Sequence, residues 1–403
     1  MKRDKTDRIK PVEQIELEGR HIKLRIILAI VFFLIFVGSL VFILVTVNHT
    51  DAGWSSIPIQ AGTINADKEI AVNYNLGKNG DAGTESRAIK ALASDTLETS
   101  YKSLDAYNSY DEVRNIYYLN RNYNKDLVVS EFLYNSLSKV KDSNIIFLGP
   151  LVTYYDSLMG ALTDADSKAY DPLYSETIKT LFAEVLVYAK DRNHIHLEFK
   201  ADNTINLVIS AEYLEFAKSA GITDFINLSW LRNAFIVDAI ADRMASNNYL
   251  NGYVTSADGF TRNLGSANEK FGINLIDYDT KFITVGRIEY SGAYSVVVMK
   301  NFMTSSYDQK YIRYIDNNRR TYYIDQADGI SKVASNYFVS IANNKSVVDL
   351  AIKSAEININ KELNLTAIDD SSYYIVSGKK VLHNTDKFTL VLSEGYEGET
   401  INA

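Results

Sequence analysis

Apolar positions divide the chain into two regimes. Ile26 to Val47 reads IILAIVFFLIFVGSLVFILVTV, 22 residues without a charge. Wound as a helix at about 1.5 Å per residue it spans roughly 33 Å, enough for a hydrocarbon core of ~30 Å. A buried core helix of that length keeps a polar stripe, and this segment has none. A cleaved signal peptide has an apolar region of about 7–15 residues ending at small residues, whereas this one runs into Asn48-His49-Thr50. The pattern therefore predicts one transmembrane helix over 26–47.

Beyond the span the period alternates between that of helices and that of strands. Apolar residues recur at helical spacing in Ser86–Tyr107 (Ile89, Leu92, Leu97, Leu104), in Glu131–Val140, and in Tyr174–Ala189 (Ile178, Leu181, Phe182, Val185, Leu186). His194–Phe199 and Thr204–Ser210 alternate, and Ala201-Asp202-Asn203 between them predicts a hairpin. Ser229–Ser246 reads as a turn entering an amphipathic helix (Leu231, Phe235, Ile240, Met244). After Asn274 strands dominate: Phe282–Tyr290, Tyr294–Phe302, Tyr311–Ile315 and Arg320–Ile324. A helix over Lys345–Ala355 precedes strands near Tyr373–Val376 and Thr389–Leu392. No repeat or low-complexity linker interrupts this stretch, so the expected fold class is α+β, a single domain.

Charge orients the span. Of 42 Lys+Arg and 50 Asp+Glu, eight and five precede it, which leaves 34 against 45 beyond it. Arg20, Lys23 and Arg25 press on its start, and no basic residue follows before Lys68. Positive flanks stay cytoplasmic, which puts the amino terminus inside and everything after Thr50 outside. The organisation expected is a cytoplasmic tail (1–25), the span (26–47), a stalk rich in small and polar residues (48–67) and an extracellular domain (68–403). An acidic outer domain argues against sequence-independent nucleic-acid binding, which needs clustered Lys and Arg. The chain has no cysteine, which excludes disulfides, thiolate metal sites, thiol nucleophiles and lipidated cysteine.

Several local motifs fail on their chemistry. Gly77-Lys78-Asn79-Gly80 with Gly83-Thr84 lacks the Gly-Lys-Ser/Thr ending of a phosphate loop and reads as a surface turn. Asp164, Asp166 and Asp171 have the look of a calcium loop, but Ala169 stands where glycine is needed and Ser175 where the bidentate Glu belongs, so a solvated loop is expected. His194 and His196 share a strand face without an evident third ligand. There is no Gly-x-Ser-x-Gly elbow, and none of the five histidines sits in a triad context.

From about Ala93 to the end, the order of segments, above all Asn227–Asp238, Met303–Asp308, Tyr322–Asp325 and Asp349 with Lys353, resembles that of the FAD:protein FMN transferases, the ApbE family. Leu104–Asn120 resembles the family's early segment and keeps Glu112 and Asn120, with Asp111 in place of Ser. Val129-Ser130-Glu131 resembles the start of its next helix, and Ile146–Leu151 stands for a longer Gly-Ala-Phe-Asp-Pro-Thr stretch. The central Asp-Leu-Gly-Gly-Ile-Ala-Lys-Gly-Tyr-Ala-Val-Asp is matched by Asn227-Leu228-Ser229-Trp230-Leu231-Arg232-Asn233-Ala234-Phe235-Ile236-Val237-Asp238. Ala257-Asp258-Gly259-Phe260 stands for a Gly-Gly-Asp segment, and Met303-Thr304-Ser305-Ser306-Tyr307-Asp308 for Ala-Thr-Ser-Gly-Asp-Tyr. Tyr322-Tyr323-Ile324-Asp325 stands for His-Ile-Ile-Asp, and Asp349 with Lys353 for the metal-binding Asp and Thr.

The resemblance implies a membrane-tethered extracytoplasmic domain that uses Mg²⁺ and FAD to attach FMN to Ser or Thr of acceptor proteins, with extracytoplasmic flavoproteins or acceptors as partners. It implies catalytic positions at Asn233, Tyr322 and Asp325. Flavin-site positions fall at Glu112, Ser229, Asp238, Gly259, Thr304 and Ser305, and a metal position at Asp349. The departures fall on the chemistry. The glycines that let backbone N–H groups approach a pyrophosphate are gone, Asn233 replaces the Lys, and Tyr322 replaces the His. Lys353 brings a positive charge and no lone pair to the metal position, which predicts a salt bridge with Asp349 in place of Mg²⁺. Three readings stay open: a flavin- or partner-binding pseudoenzyme, which these losses favour; an active Mg²⁺-dependent FMN transferase; and a structural protein in which Trp230 and Lys353 fill the former pocket. A closed cavity points to the last, an open cleft of several hundred Å³ to a ligand.

Overall fold

Capping residues explain where the helices begin. In the computed structural model Asp81 caps helix α1 (Ala82–Leu104), its side chain accepting from Thr84 N, so the helix starts four residues before the apolar period does. Ser130 and Ser175 cap α3 (Glu131–Val140) and α6 (Glu176–Lys190) in the same way, after a short α2 (Ile116–Arg121), with α4 (Gly149–Gly160) and α5 (Asp164–Tyr170) between them. Further on lie α7 (Ala211–Ala220), α8 (Arg232–Ser246) and α9 (Val347–Asn358). The structure describes residues 23, 26–28, 30–37, 39, 50–62, 69–265, 269–278, 280–343 and 345–401.

The chain divides into two units, Met1–Asp51 and Ala52–Ala403. In the first, residues 26–28, 30–37 and 39 are helical, and the large apolar side chains from Ile26 to Val37 described there are exposed. Residues 29, 38 and 40–47 of the expected span, residues 48, 49 and 63–67 of the expected stalk and all but Lys23 of the expected tail lie outside the described residues. Among the described residues no helix is long and apolar enough to cross a membrane.

The second unit is built on a nine-stranded sheet. Its spatial order is β1 (Gly53–Ile57), β2 (Ile70–Leu76), β6 (Gly252–Ser256), β7 (Phe260–Asn263), β10 (Ser295–Lys300), β13 (Tyr337–Ala342), β14 (Ser372–Ser377), β15 (Lys380–His383) and β17 (Glu397–Thr400). Neighbours are antiparallel except the last pair. Helices cover one face, with Ile89, Leu97, Leu231, Ile236, Phe338 and Leu350 in a shared core. A three-stranded sheet, β8 (Lys270–Tyr278), β9 (Phe282–Ser291) and β16 (Thr389–Leu392), covers part of the other face over a second core of Leu275, Ile288, Val339, Ile341 and Tyr374. Strand β13 sends Phe338 and Ala342 to the first core and Tyr337, Val339 and Ile341 to the second. It is buried throughout and so carries no alternation to read. A small sheet of β3 (Leu127–Val128), β5 (Thr204–Ile209) and β4 (Ile195–Lys200) holds the expected hairpin, turned by Asp202 (φ 55°) and Asn203 (φ 53°).

Three expectations are corrected. Residues 53–57, read as stalk, form the edge strand β1, and Ile57, Ile59 and Ala61 are buried in the main core. The small and polar residues hid this because an edge strand needs only one apolar face. Asp164–Tyr170 is helical rather than a solvated loop, and Asp171 is fully buried, accepting from Arg320 Nε at 2.8 Å. The strand expected at Arg320–Ile324 lies at β12 (Asn318–Thr321), paired with β11 (Ile312–Ile315) through a turn in which Asp316 and Asn317 take positive φ.

Candidate functional site

A cleft of about 820 Å³ opens where the end of α1, helix α4, the entry to α8 and the segment 306–311 converge. Its chemistry comes from Glu69, Tyr107, Asp156, Arg232, Asn233, Asp258, Lys310 and Tyr322.

Two carboxylates face the start of α8. Glu69, only 7% exposed, accepts from Lys310 Nζ at 2.5 Å, Asn233 Nδ2 at 3.3 Å and Tyr311 OH at 3.4 Å, with Arg232 Nη2 at 3.6 Å. Burial pushes its carboxyl up, but Arg232 and Lys310 outweigh this and hold it below the usual range. Asp258 has no such cation. Burial drives its carboxyl up to about 6, only partly offset by hydrogen bonds from Ser256 and Asn233 and reinforced by the charge of Glu69. The Asn233 amide donates to Asp258 Oδ2 at 3.1 Å as well as to Glu69, so one neutral side chain bridges both acids.

The far wall is phenolic. Tyr107 and Tyr322 both donate to Asp156, and Asn227 Nδ2 donates to Tyr107 OH at 2.9 Å. Burial raises the Asp156 carboxyl despite these two donors. The Arg232 guanidinium lies 4.4 Å over the Tyr101 ring. Among the described residues its buried Nε has no hydrogen-bond partner, and neither does Asp258 Oδ1. Trp230 stacks on Phe260 (centroids 5.7 Å, 14°) and meets Tyr323 edge-on, so it packs into the floor and leaves the cleft open.

Of the positions expected to be catalytic, Asn233 and Tyr322 line the cleft together. Asp325 is not among the lining residues; it accepts from Lys332 Nζ at 2.9 Å and caps the turn at Ala327 N. The expected flavin positions divide. Ser229 opens the 3-10 turn that leads into α8. Gly259 (φ +101°) turns the β6–β7 hairpin beside Asp258, and a Cβ there would lie 2.1 Å from Val298 O. The backbone N–H groups of Thr304 and Ser305 both donate to Asp308 Oδ2, which shapes the segment that delivers Lys310 and Tyr311. Asp238 points elsewhere: it accepts from the N–H groups of Val347 (3.0 Å) and Val348 (3.2 Å) and from Arg262 Nη1 (3.0 Å), anchoring the start of α9. Glu112 sits in a surface turn at φ 63° beside a different depression.

The expected Asp349–Lys353 salt bridge is not formed. Lys353 Nζ pairs with Glu356 at 2.8 Å, and Asp349 is met by Lys139 Nζ at 3.1 Å and the Ser346 hydroxyl at 2.7 Å. At its side-chain exposure of 47% Asp349 serves the helix start, where negative charge is favoured. With an ammonium already on this carboxylate, and no group of three acids or histidines positioned to hold a metal among the described residues, the donor set does not fit Mg²⁺. His194 and His196 are likewise engaged, His194 Nδ1 with Ser210 Oγ (2.9 Å) and His196 Nδ1 with Arg192 O (2.8 Å).

Sequence reasoning missed Glu69, Asp156 and Lys310, which reach the cleft from segments far apart in the chain and carry no local signature. It also passed over Arg232, although a cation beside the lost Lys position was visible.

No family model matches this chain, and no curated protein matches it. Solved structures do. The chain is similar to the ApbE protein of Thermotoga maritima (TM-score 0.55, 13% identity, covering 85% of this chain and 97% of that one). It is also similar to the flavin transferase ApbE of Vibrio cholerae (TM-score 0.52, 14% identity, 86% and 98% covered). At such identity the likeness is one of fold, and the fold is ApbE-like.

Proposed function

We propose that this protein is a membrane-anchored extracytoplasmic ApbE-like domain that holds a flavin nucleotide in its cleft without catalysing metal-assisted FMN transfer. One observation carries the reading: a cleft of about 820 Å³ remains open at the Asn233 and Tyr322 positions, with a buried Arg232 Nε lacking a partner among the described residues. That volume lies within the ~300–1,000 Å³ of small-molecule sites, and Arg232 and Lys310 offer donors to a phosphate while Tyr101, Tyr107 and Tyr322 offer ring surface. The name of the Vibrio cholerae neighbour supports a flavin as the ligand class. Loss of catalysis is argued from the replacements: an amide where the motif has Lys, a phenol where it has His, and a metal position held by Lys139. Phosphoryl transfer relies on metal and positioned charge to stabilise spreading negative charge. The anchor is argued from the uncharged run 26–47 and the basic residues before it, which place the amino terminus in the cytoplasm.

The test is an equilibrium titration of the full-length chain, in lipid nanodiscs, with FAD in the presence and absence of Mg²⁺. Saturable binding indifferent to Mg²⁺ is expected. Binding that tightens with Mg²⁺ and releases AMP establishes an active transferase instead. No binding overturns the flavin assignment and leaves the cleft to an extracytoplasmic protein partner.

A further inference from the structure

The face of the large sheet turned away from the helices is only partly covered. The β8–β9 hairpin stops beside the β1–β2–β6–β7 half, and along its flank runs a groove of about 540 Å³. Side chains of alternate residues on these strands point into it, and aromatic rings and amides take turns across the sheet.

Trp54, half exposed, meets Tyr253 (centroids 6.0 Å, 46°) and Phe271 (6.4 Å, 81°), and Tyr253 meets Phe271 (6.1 Å, 88°). Rings this close leave no slot between them in which a flat aromatic ligand could be sandwiched. They form one continuous wall of inclined faces. Polar groups along it are unspent. Among the described residues the Asn73 side-chain amide and the Tyr253 hydroxyl make no hydrogen bond, while the buried Asn263 is held beneath them by Tyr290 OH, which donates to its Oδ1 at 2.8 Å. The one charged side chain among the lining residues is Lys270, which disfavours the cationic ligands that aromatic walls otherwise suit.

A pyranose ring has a face of C–H groups that packs against an aromatic ring and a rim of hydroxyls that needs closely spaced donors and acceptors. We propose that this groove is a saccharide-binding site, in which successive pyranose units of a glycan chain lie on Trp54 and Tyr253 and are held by the Asn73 amide and the Tyr253 hydroxyl. The site is distinct from the cleft: no residue lines both.

The experiment is isothermal calorimetry of the full-length chain in lipid nanodiscs with cellohexaose, chitohexaose and maltohexaose, each up to about 10 mM, about ten times a millimolar dissociation constant. Saturable binding of at least one is expected. It should weaken about tenfold in Trp54→Ala, equivalent to about 1.4 kcal/mol, and about threefold in Asn73→Ala. The second variant keeps the test meaningful if removal of the indole disturbs the edge strand. Absence of saturable binding to all three sugars, or binding of wild-type strength in both variants, overturns the proposal.

Discussion

Asp238 is the motif residue whose role the structure redefines most sharply, and replacing it by Ala separates an architectural role from a ligand-binding one. Its carboxylate accepts from Val347 N at 3.0 Å, Val348 N at 3.2 Å and Arg262 Nη1 at 3.0 Å. The capping hydroxyl of Ser346 takes Asp349 N, so the two valine N–H groups, both on buried residues, depend on Asp238. Leaving two buried donors unpaired costs about 1–3 kcal/mol each. Arg262 adds little, because it is partly exposed and keeps Asp242 at 3.6 Å. Against this, burial already pushes the Asp238 carboxyl above its usual range, so removing it relieves some desolvation. The net expectation is a loss of about 2–4 kcal/mol for Asp238→Ala and about half that for Asp238→Asn, which keeps one acceptor oxygen. With a urea m-value of about 3 kcal/mol/M, the Ala variant's unfolding midpoint falls by about 1 M. The assay is urea unfolding followed by circular dichroism, with the FAD titration repeated on the folded variant. A midpoint within about 0.2 M of wild type, or lost ligand binding at wild-type stability, would refute the architectural reading.

Three further outcomes follow from the same geometry. Asp258 titrates at about 6 in the folded state against an ordinary carboxyl near 3.8, so the folded state binds the extra proton and stability falls as pH rises from about 4 to about 6. That fall, about 2–3 kcal/mol at most, is absent in Asp258→Asn, and parallel melting-temperature profiles of the two proteins between pH 4 and 7 contradict it. Arg320→Ala strands the fully buried Asp171 carboxylate and costs about 3–5 kcal/mol, read as a lowered urea midpoint, whereas Lys353→Ala, which breaks only an exposed pair with Glu356, changes it by under about 1 kcal/mol. Gly259→Ala forces a Cβ to within 2.1 Å of Val298 O at φ +101°, so it destabilises the β6–β7 hairpin by about 2 kcal/mol or more, and an unchanged melting temperature counts against this strain.

How much of this was legible follows from the range over which each feature is encoded. Helix Glu131–Val140 and strand Thr389–Leu392 lie where the period put them, because one buried face is a local property. Strand Tyr337–Ala342 was not readable, since a strand buried on both faces has no period, and β1 was mistaken for stalk because small polar residues serve an edge strand equally well. The same limit governs the site. The segment Asn227–Asp238 stands out as a unit, and four of its residues, Asn227, Trp230, Arg232 and Asn233, do reach the cleft. Their partners come from elsewhere: Glu69 is 164 positions from Asn233, and Lys310 is 241 from Glu69. Tyr322 meets Asp156 across 166 residues. Pairings of that span are fixed by topology, and one sequence carries no mark of them. The Lys353–Asp349 pair failed for a different reason: spacing allowed it, but Lys139 on α3 and Glu356 one turn away compete for the two partners, and only packing decides such a competition.

The open cleft is what separates a ligand-holding protein from one whose former pocket has become core. Filling by Trp230 and Lys353 was the structural alternative, yet Trp230 lies stacked on Phe260 beneath the cleft and Lys353 is not among its lining residues. What remains is energetically uncomfortable for a purely architectural element. Arg232 Nε and Asp258 Oδ1 are buried without partners among the described residues, at about 1–3 kcal/mol for each such group. Glu69 and Asp258 share a single amide, with no cation on Asp258 to stabilise its charge. Arg232 and Asp258 both line the cleft of about 820 Å³, and the flavin proposed above would supply a partner for the Arg232 N–H. An unpaired guanidinium N–H calls for a hydrogen-bond acceptor, and a phosphate oxygen is one that also meets the cation's charge.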